Sequence, residues 1–146
     1  MTRVLVINGP NLNLLGEREP GQYGQRSLDG ILEELRYVAE STGLSLEAMQ
    51  SNAEGELIDA VQQAGRDGVD WIILNPAGYT HTSVALRDAL LAVKIPFIEV
   101  HLSAVSAREP FRQVSYFADI AEGVISGFRG ESYLLALQAI LNRIEP

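Results

Sequence analysis

The sequence predicts an α/β fold in which helices cover both faces of a parallel sheet, and three observations support this prediction. Short runs rich in β-branched residues alternate with segments of helical periodicity along the chain. The central run at residues 71–74, WIIL, is apolar throughout, as a strand buried on both faces should be. Polar loops follow several of the candidate strands, and open α/β sheets bind their ligands at the carboxyl ends of the strands.

Five strands are expected because each run is short, largely apolar and bounded by turn residues or by a helical pattern. In chain order they are predicted at residues 3–7, 44–49, 71–74, 97–100 and 123–125. Five parallel strands in a chain of this length predict a flavodoxin-like three-layer fold with strand order 2-1-3-4-5. We find no internal repeat, linker or low-complexity segment, so residues 1–146 are interpreted as one domain.

Four helices are predicted between and after these strands. Their ranges are residues 27–41, 51 to about 63, 83–93 and 131–144. Gly43 ends the first helix, and Ser51 with Glu54 has the spacing of a capping box that would open the second. Leu86 and Leu90 lie on one face of the third helix, as a helix packed on a sheet requires.

Composition excludes several classes of protein. The chain has 146 residues, of which 47% are hydrophobic, and it contains no cysteine, which excludes disulfides and thiolate metal sites. A net charge of −8 without a basic stripe argues against a nucleic-acid partner. No apolar run approaches the roughly 18 residues of a membrane span, and nothing resembles a signal peptide. We therefore expect a soluble, cytoplasmic protein with no membrane partner.

Three polar loops should converge at one edge of the sheet. Residues 8–24, 75–81 and 101–112 follow the first, third and fourth strands. The order of the strands reverses between the first and the third, and ligands bind at that point in such sheets. The loop after the second strand, residues 50–52, is short and plain. The sequence therefore predicts a ligand site built from the three longer loops.

Both histidines of the chain, His81 and His101, belong to these loops. Glu99 and His101 are two residues apart at a strand end, so their side chains can point to the same face. A carboxylate in that position would orient the imidazole for acid–base chemistry. The same two residues could instead form a buried ion pair without a chemical role. His81, His101 and Glu99 could also supply the three protein ligands of a catalytic zinc ion.

The cations of these loops are arginines. Arg18, Arg108 and Arg112 could bind a small anion through planar guanidinium groups. Tyr23 follows Arg18 in the same loop, and nearby cations lower the pKa of a tyrosine from its ordinary value of about 10. No nucleophile elbow surrounds Ser103, so its hydroxyl is expected to hydrogen-bond a ligand. Tyrosine, arginine, histidine and several asparagines together indicate proton abstraction beside a carbonyl.

Three motifs closely resemble the type II 3-dehydroquinate dehydratases. They are NGPNLNLLGEREPGQYG at residues 8–24, NPAGYTHTSVALRDAL at residues 75–90 and IEVHLSAVSAREPFR at residues 98–112. The resemblance covers essentially the whole chain, including the closing GFRGESYLLAL. It implies an anti elimination of water from 3-dehydroquinate, which gives 3-dehydroshikimate through an enolate without a metal or organic cofactor.

The resemblance also implies roles for five catalytic residues. Tyr23 would remove the proton at C2 of the substrate, and Arg18 would activate it. Asn11 would position a water against the developing enolate oxygen. His101, oriented by Glu99, would assist departure of the C1 hydroxyl as general acid.

Further residues would bind the substrate, according to the same resemblance. The backbone amides of Leu102 and Ser103 would take the carboxylate, and Arg108 would close over the site, with Arg18 and Tyr23 on a mobile lid loop. The substrate hydroxyls would be held by the side chains of Asn75, His81, Ser103 and Arg112.

The resemblance implies a homo-oligomer, a dodecamer of four trimers, in which Asp88 reaches the site of a neighbouring subunit. The family usually has Asn and His where this chain has Ala104 and Ser106, so the loop carrying Arg108 loses polar contacts. A competing hypothesis is a non-catalytic flavodoxin-like module that binds a small anion or nucleotide. That hypothesis does not explain why Tyr23 lies so near Arg18.

Overall fold

The computed structural model describes residues 1–17 and 26–144 and contains a five-stranded parallel sheet between two layers of helices. The strands are β1 (Arg3–Asn8), β2 (Ser45–Gln50), β3 (Trp71–Asn75), β4 (Phe97–His101) and β5 (Gly123–Ser126). The longer helices are α1 (Leu28–Ser41), α2 (Glu54–Asp67), α3 (Val84–Val93) and α4 (Glu131–Ile144). The strand order is β2-β1-β3-β4-β5, which confirms the predicted fold class and order.

Alternate strand residues serve two separate cores. Val4, Val6 and Ile73 belong to the core that contains the apolar faces of α1 and α4. Ile7 and Ile72 belong to the opposite core, with the apolar faces of α2 and α3. Because successive side chains of a strand point to opposite faces, a sheet covered on both sides needs apolar residues at every position. This requirement explains the unbroken apolar runs of the central strands.

Serine hydroxyls fix the starts of two helices where the sequence predicted them. The Ser27 hydroxyl accepts a hydrogen bond from the Gly30 amide at 3.0 Å and caps α1. The Ser83 hydroxyl accepts from the Leu86 amide at 3.1 Å and caps α3. Each bond satisfies an amide that has no partner within its helix. No helix in residues 1–17 and 26–144 is long and apolar enough to cross a membrane.

The capping box predicted for Ser51 and Glu54 is wrong. Helix α2 begins at Glu54 with Ala53 at the N-cap position and without a side-chain cap, and it continues to Asp67, beyond the predicted end. The Ser51 hydroxyl accepts from the Ala53 amide at 3.0 Å and donates to the Glu56 carboxylate. The Glu54 carboxylate accepts from the Ser83 hydroxyl instead. It thus links the start of α2 to the start of α3.

Gly9 allows the loops after β1 and β3 to approach each other closely. Its amide donates to the Asn75 carbonyl at 2.8 Å. A Cβ atom at Gly9 would lie 2.5 Å from the carbonyl oxygen of Pro76, which is closer than real Cβ atoms approach other heavy atoms. Because the obstructing atom belongs to the backbone, a side chain here would push the two loops apart.

We expect Gly9→Ala to lower the free energy of unfolding by about 1–3 kcal/mol, the range typical of overpacking. Gly55→Ala is the matched control, because a Cβ atom there meets no atom within 4 Å. The control should keep or slightly raise stability, since alanine favours a helix over glycine. Urea unfolding of the two variants measures the difference, and equal stabilities would show that the loops can separate without cost.

Candidate active site

A buried polar network joins the ends of the two central strands. Asn8 and Asn75 are register partners at the carboxyl ends of β1 and β3. The hydroxyl of Tyr133 in α4 donates to Asn8 Oδ1 at 2.6 Å and accepts from Asn75 Nδ2 at 3.0 Å. All three residues are buried. The network therefore holds the ends of β1 and β3 together beneath the predicted ligand site. The strand order reverses between these two strands.

Burial raises the pKa of the Tyr133 hydroxyl well above its ordinary value. The phenolate would then form only in the unfolded chain once the pH exceeds about 10, the ordinary tyrosine value. Above that pH the unfolded state binds fewer protons than the folded state, so stability falls as the pH rises, by about 1.4 kcal/mol per pH unit for this group. Below a pH of about 10, the contribution of the Tyr133 hydroxyl to stability is fully retained.

Tyr133→Phe removes this titration. We expect its free energy of unfolding to fall less steeply than that of the unmodified protein between pH 10 and 11. At neutral pH the variant should be less stable by about 1–3 kcal/mol, because two buried amides lose their partner. Denaturant unfolding across this pH range checks both effects, and parallel stability curves would contradict the first.

A cleft of about 150 Å³ opens above this network, at the carboxyl edge of the sheet. Of the predicted site residues, eight line it: Asn11, Asn75, His81, His101, Leu102, Ser103, Arg108 and Arg112. Glu99 is in contact with His101 and does not line the cleft. Asp88 is exposed on α3 and does not line it either. Tyr23 and Arg18 lie outside the described residues.

Asn75 contributes to the wall of the cleft while it is almost fully buried. Its Oδ1 accepts from the amide of Ala77 at 3.1 Å, and its Nδ2 donates to Tyr133. A primary amide has two N–H donors and an oxygen with two lone pairs, so one donor and one acceptor position remain for a ligand. The two protein contacts hold the amide in one orientation.

Asn11 is held in an unusual backbone conformation, with φ of 70°. Its amide donates to Asn52 Oδ1 at 2.9 Å, and Gln50 Nε2 donates to the same oxygen at 3.2 Å. The Tyr79 hydroxyl donates to the Asn52 carbonyl at 2.7 Å. The interpretation of residues 50–52 as a plain connection is therefore wrong. Asn52 ties the loops after β1 and β3 together and supports the strained residue Asn11.

Glu99 and His101 form the pair that their spacing predicted. His101 Nε2 lies 2.5 Å from Glu99 Oε2, and the two residues are 4% and 1% exposed. The Ser115 hydroxyl donates to both oxygens of the same carboxylate, at 2.9 and 3.0 Å. A buried carboxylate needs such donors, because it has lost its contact with water. The imidazole is thereby fixed with Nε2 towards Glu99.

His81 is oriented by a different contact. Its Nδ1 lies 2.7 Å from the carbonyl oxygen of Val114, so Nδ1 carries a proton and donates it. The ring meets Phe111 edge to face, with centroids 6.2 Å apart and planes at 89°. These contacts leave the Nε2 edge of the imidazole to hydrogen-bond a ligand in the cleft.

The arginines of the cleft lie on the segment after β4. Arg112 donates from Nε to the Glu109 carboxylate, and its Cζ lies 5.0 Å from the centroid of Phe111. This hydrogen bond lowers the pKa of the Glu109 carboxyl. Arg108 lines the same cleft and adds a second guanidinium. The cleft thus presents two guanidinium groups in a protein whose net charge is −8.

The zinc site considered from the sequence has no support in the described part of the chain. Among residues 1–17 and 26–144, no three His, Asp or Glu side chains form a group that could hold a metal ion. The Nδ1 of His81 is bonded to a carbonyl oxygen, while the Glu99 carboxylate is bonded to Ser115 and His101.

Sequence reasoning missed three polar residues that support the site: Asn52, Ser115 and Tyr133. Asn52 had a usable signal, since it follows the carboxyl end of β2. Ser115 had none, because it lies between β4 and β5 in a segment without regular periodicity. Tyr133 is spaced like a core residue of α4, and nothing in a helical pattern shows that its hydroxyl meets two asparagines.

Comparisons with known proteins point to one family. The family model described as dehydroquinase class II matches residues 2–141. A 3-dehydroquinate dehydratase of Idiomarina loihiensis is 59% identical over 142 residues, which are 97% of this chain and 93% of that protein. One of Hahella chejuensis is 60% identical over 144 residues, 99% of this chain and 98% of that protein. The crystal structure of a type II dehydroquinase from Butyrivibrio crossotus has a TM-score of 0.93 at 41% identity, with 96% and 97% of the two chains covered.

Proposed function

The chain belongs to the class II dehydroquinase family, and we propose that it is a hydro-lyase that converts 3-dehydroquinate to 3-dehydroshikimate by an anti elimination of water. A base removes a proton from C2, beside the C3 carbonyl, and the electron pair forms an enolate. The enolate then expels the C1 hydroxyl, which leaves as water after it takes a proton. The products are the enone and one water molecule.

The general acid is His101. The single observation that carries this proposal is the contact of 2.5 Å between the buried Glu99 carboxylate and Nε2 of His101, a residue that lines the cleft. Since Nε2 faces Glu99, the proton for the leaving hydroxyl would come from Nδ1. The negative carboxylate stabilises the imidazolium that must carry this proton.

The base is Tyr23, activated by Arg18. Both residues lie outside the described part of the chain, so this assignment rests on the motif at residues 8–24 and on the chemistry of the groups. A neutral tyrosine is a weak base at pH 7, and a guanidinium beside it favours the phenolate. Asn11 holds a water that stabilises the enolate oxygen, a role supported by its fixed backbone and by its place on the cleft wall.

The remaining cleft residues bind the substrate. The amides of Leu102 and Ser103 hold the substrate carboxylate, and Arg108 closes over the site. The side chains that hold the substrate hydroxyls are Asn75, His81, Ser103 and Arg112. Asn75 and His81 support this role most clearly, because Asn75 keeps one donor and one acceptor position for a ligand and His81 keeps its Nε2 edge.

We further propose the dodecamer of four trimers that the family resemblance implies. Val84, Asp88 and Leu91 are exposed on α3 at positions i, i+4 and i+7, so they form one stripe. Two of these residues are apolar, which favours contact with a neighbouring subunit whose site Asp88 completes. Analytical ultracentrifugation tests this assembly, and a fully active monomer would contradict it.

The proposed activity is tested by adding 3-dehydroquinate to protein treated with EDTA and following the ultraviolet absorbance of the enone product. We expect turnover that exhaustive chelation does not reduce. Loss of turnover with EDTA and its recovery with one equivalent of zinc would instead indicate a metal enzyme. Binding of 3-dehydroquinate without turnover would favour the non-catalytic module that binds a small anion.

A further inference from the structure

Two neighbouring residues in the segment 114–119 help to orient the two histidines of the cleft, one directly and the other through Glu99. The Val114 carbonyl accepts from His81 Nδ1 at 2.7 Å. The next residue, Ser115, donates to the Glu99 carboxylate that holds His101. The two imidazoles therefore take their orientations from adjacent residues of the segment 114–119.

The Ser115 hydroxyl has its hydrogen-bonding capacity fully used. The amides of Phe117 and Ala118 donate to its oxygen at 3.0 and 3.1 Å. A hydroxyl has two acceptor lone pairs and one proton to donate, so these amides leave only the proton for another partner. That proton points to Glu99. Ser115 is thus fixed as a donor to the carboxylate and cannot rotate to another role without losing two backbone contacts.

The segment is anchored independently of the histidines. The Tyr116 amide donates to the Thr80 carbonyl at 2.9 Å, and Arg87 donates to the Tyr116 carbonyl at 2.8 Å. Arg87 also forms a bidentate pair with Asp119, at 2.5 and 3.0 Å. Phe117 is completely buried. Ser115 is therefore held by a rigid frame, which a residue that orients a catalytic group requires.

We propose that Ser115 is a positioning residue for the elimination, and that it acts on His101 through Glu99. This inference rests on the proposed function. The Glu99 carboxylate can turn about its own side-chain bonds, and the paired contacts from Ser115 hold it in the orientation in which Oε2 meets His101 Nε2. Without them the carboxylate would sample other orientations, and the imidazole would deliver its proton to the leaving hydroxyl less often.

The kinetic test compares Ser115→Ala with Ser115→Thr, which retains the hydroxyl. We expect Ser115→Ala to lower kcat by about tenfold or more, as loss of a hydrogen bond to a charged group does, with KM within about twofold. Ser115→Thr should recover most of this loss. Ser41→Ala is the control, because that hydroxyl bonds carbonyl groups within α1. A rise in KM alone, or an equal loss in Ser115→Thr, would overturn the proposal.

A double-mutant cycle tests whether Ser115 acts through Glu99. In a Glu99→Gln background, Ser115→Ala should lower kcat by less than about twofold, because the path to His101 is already broken. The same fold loss in both backgrounds would show that Ser115 acts elsewhere. If Ser115→Ala does not fold, Ser115→Cys keeps a similar shape with a weak donor, and its kcat should fall in the same way.

A spectroscopic measurement separates failure of this proposal from failure of the proposed function. Spectra of ¹⁵N-labelled histidine report the Nε2–H of His101 that is bonded to Glu99. Ser115→Ala should shift this resonance and Ser41→Ala should not, whether or not the protein turns over 3-dehydroquinate. An unchanged resonance in Ser115→Ala would overturn the positioning role, while absence of turnover in the unmodified protein would overturn only the function.

Discussion

Tyr23→Phe is expected to abolish turnover while substrate binding and assembly stay largely intact. The ring keeps its shape, but the proposed base loses the oxygen that accepts the C2 proton. Loss of a general base costs about 10²–10⁴ in rate. The phenolate must be available near neutral pH, and the Arg18 guanidinium proposed beside Tyr23 favours it.

Steady-state kinetics of Tyr23→Phe measures this effect, and Tyr37→Phe is the matched control. Tyr37 is 74% exposed on α1, so its replacement should leave kcat unchanged. Calorimetric titration with a product analogue would show that the Tyr23 variant still binds ligand. If this variant keeps more than about a tenth of the normal kcat, Tyr23 is not the base.

The second large effect is expected for Glu99→Gln. The amide has nearly the same shape as the carboxylate and can still accept from Ser115, so the fold should persist. It carries no negative charge, however, and cannot stabilise a protonated His101. We expect kcat to fall by about 10²-fold or more, the scale of general-acid catalysis, with a smaller change in KM.

Glu47→Gln is the matched control for this replacement, because Glu47 is exposed on β2. Thermal unfolding of both variants should show similar stability. A Glu99→Gln protein with normal kcat and raised KM would mean that the pair with His101 binds substrate and does not supply the proton.

The fold could be predicted because local patterns specify it. The apolar run at residues 71–74 lies in the central strand β3, and Ser27 and Ser83 cap helices where the sequence placed them. The capping-box prediction failed because the side chains of Ser51 and Glu54 bond to other groups than the amides that a capping box requires. Glu54 accepts from Ser83, 29 residues away, and a sequence pattern gives no sign of this contact.

The candidate site was predictable to the extent that strand ends determine it. Asn75 and His101 end their strands, and Glu99 alternates with His101 on β4, so their convergence follows from topology. The supporting residues could not be found in the same way. Tyr133 meets Asn8 across 125 residues, and Ser115 meets Glu99 across an irregular segment. Such contacts depend on how loops pack, which periodicity does not encode.

The most direct test of the proposed elimination follows deuterium placed at C2 of 3-dehydroquinate. One sample carries the label anti to the C1 hydroxyl and the other carries it on the syn face. Each is converted by EDTA-treated protein, and the product is examined by mass spectrometry. An anti elimination predicts 3-dehydroshikimate without deuterium from the anti-labelled sample and with deuterium from the other. The reverse pattern, or no product from either sample, would contradict the proposed reaction.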